Sequence, residues 1–246
     1  MSIYSKLLVA ALNDEIKEIK EQLQIDRVLH LKPATLYQGH WGETPISIFV
    51  SGLGAERMST GLQKLSEFYQ PTQVCHIGYA GGTSPVMGIG KILIADIVKD
   101  QQTANEWIVP VREVERAKHF CQNRKLAFET GGILTVPEAV SDPMQKAFYG
   151  AKDSVLALDM ESSCVVKWAT EKNIPFCVIR SIFDPLDMRL PDFGNSFKGA
   201  QPETGEVVEH MIKNPKDALK IPQLQYCATT ARRSLTDFAK IWSQSL

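Results

Sequence analysis

Five short stretches place carboxylates or glycines where an α/β sheet would collect a ligand. They are Asn13-Asp14-Glu15, Ser51-Gly52-Leu53-Gly54, Gly78-Tyr79-Ala80-Gly81-Gly82, Asp159-Met160-Glu161 and Asp184. Each follows or ends an apolar run of strand length, and ligands of such sheets gather beyond the carboxyl ends of the strands. Singly they carry little, because glycine after a strand is ordinary turn chemistry. A carboxylate that opens a helix also serves the helix dipole or its cap. Their joint occurrence along one chain is what marks a site. His30, His40, His119 and His210 fall in no metal-ligand spacing, so no metal and no other cofactor is expected.

The elements that would position these groups alternate short apolar runs with amphipathic segments, the pattern of an α/β fold. Leu7–Leu12 reads as a strand buried on both faces, since nothing polar interrupts it. From Asn13 the period becomes helical, with Ile16, Ile19 and Leu23 on one face. Ile46–Val50 predicts a strand, followed by a helix carrying Met58, Leu62, Leu65 and Phe68 and stopped by Pro71. Further strands are expected at Gln73–Ile77, Ile92–Val98, Gly132–Val136, Ser154–Leu158 and Phe176–Ile182. Helices are expected at Val111–Asn123, around Met160–Lys172 and across Leu224–Trp242. The proline- and glycine-rich stretch Pro185–Glu206 reads as a long functional loop, and residues 207–246 as a helical tail packed outside the core. The 246 residues are expected to form one domain, with a core over about residues 6–200.

Composition narrows the function. Hydrophobic residues make up 44% and charged residues 22%, the balance of an ordinary globular protein. A net charge of -1 lacks the basic excess that a polyanion binder needs, so nucleic acid and anionic membrane are poor partners and a small molecule is a better one. Five scattered cysteines without a C-x-x-C pair argue against a disulfide framework and for a reducing compartment. No apolar run reaches membrane-spanning or signal-peptide length, and a cytoplasmic location is expected.

Taken together, the motifs resemble the purine nucleoside phosphorylase and methylthioadenosine/adenosylhomocysteine nucleosidase superfamily. The matching text is Ala10-Ala11-Leu12-Asn13-Asp14-Glu15, Ser51-Gly52-Leu53-Gly54, Ile77–Gly82 with Gly88-Ile89-Gly90, Asp159-Met160-Glu161-Ser162, and Pro175–Asp184. It spans roughly residues 6–190, and the Met-Glu-Ser and Ile-Arg-x-x-x-Asp elements are its more specific pair. The resemblance implies a three-layer α/β fold whose central mixed sheet is partly closed into a barrel and flanked by helices. It further implies cleavage of the bond between a purine base, of adenine type, and ribose. Asp184 matches the general acid that protonates the base at N7, a role that needs a partly desolvated pocket. Glu161 matches the carboxylate that accepts the ribose hydroxyls, with Met160 packed under the sugar. Tyr79, Ala80 and Gly81 would line base and sugar, and Val140 and Ser141 match the region that grips the base edge. Arg180 has two readings: it orients a pocket carboxylate, or it pairs structurally with Glu161 or Asp159.

Water or phosphate as the nucleophile remains open at this level. Glu15 matches the carboxylate that positions and deprotonates an attacking water, and where hexameric phosphorylases carry an arginine this chain has His76, a candidate phosphate ligand but a weaker and pH-dependent one. Both favour hydrolysis. Gly54 and Arg57, at the start of a helix, could instead hold inorganic phosphate, unless Arg57 is a solvated residue paired with a nearby acid. The Gly-x-x-Arg pattern, Asp184-Pro185 and Leu190-Pro191 resemble the hopanoid-associated phosphorylase subgroup, which implies adenine removal from an adenosylated triterpenoid. Phe183 replaces the serine usual beside the acid, which points to a pocket reshaped for another purine nucleoside or a larger 5′ group, and Lys91 is a second departure, standing where aspartate is usual. A nucleoside-binding sensor without turnover is a competing class, but pure binding has no use for a proton donor. A dinucleotide-dependent oxidoreductase is weaker still, because no G-x-G-x-x-G follows the first strand. The resemblance implies a homo-oligomer, to which exposed apolar tail residues such as Trp242 would contribute.

Overall fold

The computed structural model describes residues 5–190 and 221–245. One mixed sheet organises it. Strands β1 (Lys6–Ala10), β2 (Gln24–Leu31), β3 (Ala34–Trp41), β4 (Thr44–Val50), β5 (Gln73–Gly82), β6 (Ile92–Asp100), β7 (Glu106–Ile108), β8 (Phe128–Thr135), β9 (Val155–Asp159) and β10 (Phe176–Asp184) run in the order β10-β6-β8-β9-β5-β1-β4-β3-β2, with β7 paired to β6. A further pairing of β10 with β5 closes β5, β10, β6, β8 and β9 into a five-strand barrel. The remaining strands extend from it as an open arm. Helices α1 (Lys17–Glu21), α2 (Ala55–Leu65), α3 (Val111–Arg124), α4 (Pro143–Asp153), α5 (Ser162–Glu171) and α6 (Ile221–Gln244) flank the sheet. Helices α2 and α5 pack on each other, whereas α6 packs on α1, α3, β5 and β10.

Continuous apolar runs became the central strands. Leu7, Leu8, Val9 and Ala10 are fully buried between β4 and β5, as expected of a strand covered on both faces. The strand stops at Ala10 rather than Leu12, because the N–H groups of Ala11 and Leu12 turn away from the ladder to donate to Glu15. The expected face of Met58, Leu62 and Leu65 is buried, but α2 ends at Leu65 and Phe68 is exposed. Trp242 corrects a second expectation. It is 1% exposed rather than a surface residue of the tail, packed in the same core as Leu235 and Phe238. The long loop expected after Pro185 and the first part of the helical tail lie largely outside the described residues. Among the described residues, no helix is long and apolar enough to cross a membrane.

One irregularity matters for the site. Ile182 on β10 lies opposite Ala80 and Asp184 lies opposite Gly81, so Phe183 is an extra residue in a β-bulge. A regular strand sends neighbouring side chains to opposite faces. The bulge lets Phe183 and Asp184 both face one cavity.

Candidate active site

The carboxyl ends of β5, β9 and β10, with the turn after β1, enclose a cavity of about 380 Å³. Its lining includes Asp14, Glu15, Asp159, Glu161 and Asp184, interleaved with Leu12, Leu53, Tyr79, Ala80, Gly81, Val140, Met160, Phe183 and Leu190. The size and the mix of apolar walls with a few convergent polar groups are those of a small-molecule site. Of the residues singled out in the sequence, Ser141, Gly54, Arg57, His76 and Arg180 do not line it.

Glu15 is held from three sides. Its Oε2 accepts from the N–H groups of Ala11 and Leu12 at 2.9 and 2.8 Å, and its Oε1 from Tyr79 N–H at 2.8 Å. Burial raises its pKa, opposed by Arg180 and these donors. Only glycine fits at position 78, where a Cβ would lie 2.3 Å from the Arg180 guanidinium and 2.8 Å from Glu15 Oε1. Glu161 precedes α5 and reaches across to the glycine loop, where its Oε1 accepts from Gly54 N–H at 2.6 Å. Among the described residues its Oε2 has no protein donor and stays open to a ligand. Burial first, and then the neighbouring Asp159, push its pKa up to about 8.

Below the cavity lies one buried cation. Arg180 donates from Nε to Asp159 Oδ2 at 3.0 Å and from Nη2 to Ser162 Oγ at 2.9 Å, with further contacts from Nη2 to Asp159 and to His76 Nε2. Of the two readings of Arg180, its carboxylate partner is thus Asp159. Thr135 Oγ1 and the Ser162 N–H also donate to Asp159. His76 is fully buried, with Nδ1 3.1 Å from the carbonyl of Val9. A carbonyl only accepts, so Nδ1 carries the proton and Nε2 accepts from Arg180. Burial and the guanidinium hold its pKa well below the usual value, leaving it neutral and unable to serve as the phosphate ligand considered above.

Asp184 ends β10 opposite Gly81, whose missing side chain leaves room for the carboxyl: a Cβ there would stand 3.2 Å from Oδ2. Burial raises the pKa of Asp184 to about 6, against the lowering effect of Lys146, which contacts its Oδ2. Sequence reasoning missed Lys146. It is fully buried on α4, and in the sequence a lysine among Met144, Gln145, Ala147 and Phe148 gives no sign of facing inward. On the opposite rim the Tyr79 ring lies 5.5 Å from that of Phe183, and its hydroxyl donates to Asp14 at 2.7 Å. Arg232 of α6 clips the same carboxylate at 2.8 Å and Glu18 at 3.2 Å.

The phosphorylase superfamily model matches residues 6–213. A 5′-methylthioadenosine/S-adenosylhomocysteine nucleosidase of Staphylococcus saprophyticus is 20% identical over 84% of this chain and 98% of its own length. The enzyme of that name from Oceanobacillus iheyensis is 23% identical over 84% of this chain and 97% of its own. Among solved structures, the nucleosidase of that name from Neisseria meningitidis, in complex with methylthio-immucillin-A, superposes with a TM-score of 0.72 at 15% identity, covering 96% of this chain and 98% of that one. Futalosine hydrolase of Helicobacter pylori gives 0.73 at 17% identity over 96% and 97%. At these identities the structures speak for the fold, a mixed sheet closing into a barrel between helices, while the family model spans most of the sequence. The chain belongs to the phosphorylase superfamily.

Proposed function

We propose that this protein is an N-ribosyl hydrolase that releases the base from an adenine-type purine nucleoside with water as the nucleophile. One observation carries the choice of water: five carboxylates and, among the described residues, no lysine, arginine or histidine line the cavity. A phosphate dianion there would find no cationic side chain among those residues to pair with. The Gly54 N–H that could have bound phosphate is already bonded to Glu161. The same surroundings suit a ribosyl group that gains positive charge, because Glu15, Asp159 and Glu161 crowd around the single guanidinium of Arg180 and are stabilised by a further cation.

The reaction follows from these positions. The bond between C1′ and the base nitrogen breaks, its electron pair passing to the base. Asp184 donates its proton to the ring nitrogen N7, so that a neutral base leaves. The open Oε2 of Glu161 accepts from the ribose hydroxyls, with Met160 beside it. A water attacks C1′ and gives its proton to Glu15, whose backbone donors hold it in place. Tyr79, Ala80, Gly81, Phe183 and Val140 wall the base and sugar. A single catalytic domain, a homo-oligomeric state and a cytoplasmic location belong to the same proposal and rest on the resemblance and the cysteine usage.

The test is base release from adenosine, 5′-methylthioadenosine and S-adenosylhomocysteine in buffer stripped of phosphate. We expect adenine and free ribose at a rate that inorganic phosphate leaves unchanged. Strict dependence on phosphate, with a ribose 1-phosphate product, would reject water as the nucleophile and restore the phosphorylase reading with Arg57.

A further inference from the structure

Helix α4 is built inside out. Met144 and Phe148 are 79% and 60% exposed, while its one buried residue is a lysine. Lys146 Nζ contacts Asp184 Oδ2 and lies 3.1 Å from the carbonyl of Pro185, 3.0 Å from that of Met188 and 3.5 Å from that of Asp184 itself. All four neighbours accept and none of the carbonyls can donate, so the group that satisfies them is an ammonium with its three N–H donors. A neutral amine would present a lone pair to a nest of oxygens. Because three of the contacts are to backbone carbonyls, Nζ keeps its place whether or not Asp184 carries a proton. Building on the acid role of Asp184 proposed above, we propose that Lys146 is the positioning residue of that acid, an ammonium that fixes the carboxyl at the cavity wall and stabilises the carboxylate left when the proton moves to the base.

The surroundings make this cation decisive for Asp184. From β5, Gly81 presents no side chain. From α6, the thiol of Cys227 is pushed up by burial and by Asp184, and stays neutral. Arg180, on the same strand, is engaged with Asp159 and His76. Arg189 and Asp142 pair with each other at the exposed start of α4. Glu15 and Glu161 share the cavity but are negative when ionised and cannot favour a carboxylate at Asp184. The pKa of about 6 at Asp184 is therefore a balance between burial, which holds the proton on, and Lys146, which draws it off. An acid placed in this way needs no reorganisation as its carboxylate develops.

The experiment compares Lys146→Met and Lys146→Arg with the parent protein in kcat/KM for 5′-methylthioadenosine across pH. Loss of the cation should move the high-pH limb upward by about one pH unit or more, as expected for a charge this close. It should also lower kcat at least about tenfold with KM little changed, while arginine keeps the limb near its original place. A folded Lys146→Met protein whose limb does not move overturns the proposal. Should that variant fail to fold, 15N-lysine NMR of the unaltered protein decides: the Lys146 side-chain 15N signal must shift as Asp184 titrates, and a signal that stays constant across that range overturns the proposal equally. If the unaltered protein releases no base from any nucleoside, the function proposed above fails, and the NMR titration still judges the pair on its own.

Discussion

Replacing Asp184 with Asn lowers kcat for base release by about 10²- to 10⁴-fold, the contribution of a positioned general acid. Asparagine matches aspartate in size, and its side-chain oxygen can still accept from Lys146, so the fold and KM should change little. The parent enzyme also shows the acid in its pH dependence. Burial keeps the proton on Asp184 to about pH 6, so the protonated, donating form disappears as pH rises through that value and kcat/KM falls with it. Glu15 works in the opposite sense: it must be ionised to take a proton from water, and burial raises its pKa too, which places a limb on the acid side. The two limbs make a bell, and Asp184→Asn should abolish the high-pH limb along with most of the rate. Steady-state release of adenine between pH 4 and 9, on the order of half-unit steps, checks this. A variant that keeps both rate and limb would remove Asp184 from the chemistry.

The largest effect on stability is expected from Arg180→Met. The guanidinium is 2% exposed and faces Asp159, Ser162 and His76, with Glu15 close enough to feel its charge. Removing one partner of a buried pair leaves an uncompensated charge and costs about 3–5 kcal/mol. Arg180→Lys keeps the charge but loses the fork that serves Asp159 and Ser162 together, and should fall between the two. Urea unfolding of the three proteins measures the order. The variant Arg180→Met/Asp159→Asn should recover part of the loss, because both charges leave together. A loss under about 1 kcal/mol for Arg180→Met would mean that water reaches the guanidinium and that the network beneath the cavity is not dry.

The parts of this protein that the sequence announces are those where local chemistry and burial agree. Leu7–Leu12 reads as a strand because nothing polar interrupts it, and its Leu7–Ala10 part is buried on both faces, while the strands read at Gln73–Ile77 and Phe176–Ile182 carry the glycine turn and Asp184. The carboxylates of the cavity stand at strand ends, where a ligand site is expected, so Glu15, Glu161 and Asp184 were legible. Strand β2 was not. It is the outer strand of the open arm and mostly exposed, so QIDRVLHL lacks a buried face to reveal it. Helix α4 escaped for the opposite reason, since a helix whose only buried side chain is charged has no apolar stripe. The neutral state of His76 was not legible either, because it follows from burial and from a contact with Arg180, 104 residues away in the chain.

The extra residue at Phe183 has a consequence for how such a site can diversify. Phe183 and Asp184 are adjacent in the chain and share a cavity, yet they are secured by different means. The acid is anchored from another helix by Lys146, whereas the ring of Phe183 meets only the aromatic face of Tyr79 among the described ring pairs. A single codon can therefore be searched for new substrate shapes, by natural drift or in a library, while the ion pair that anchors the acid stays on another helix.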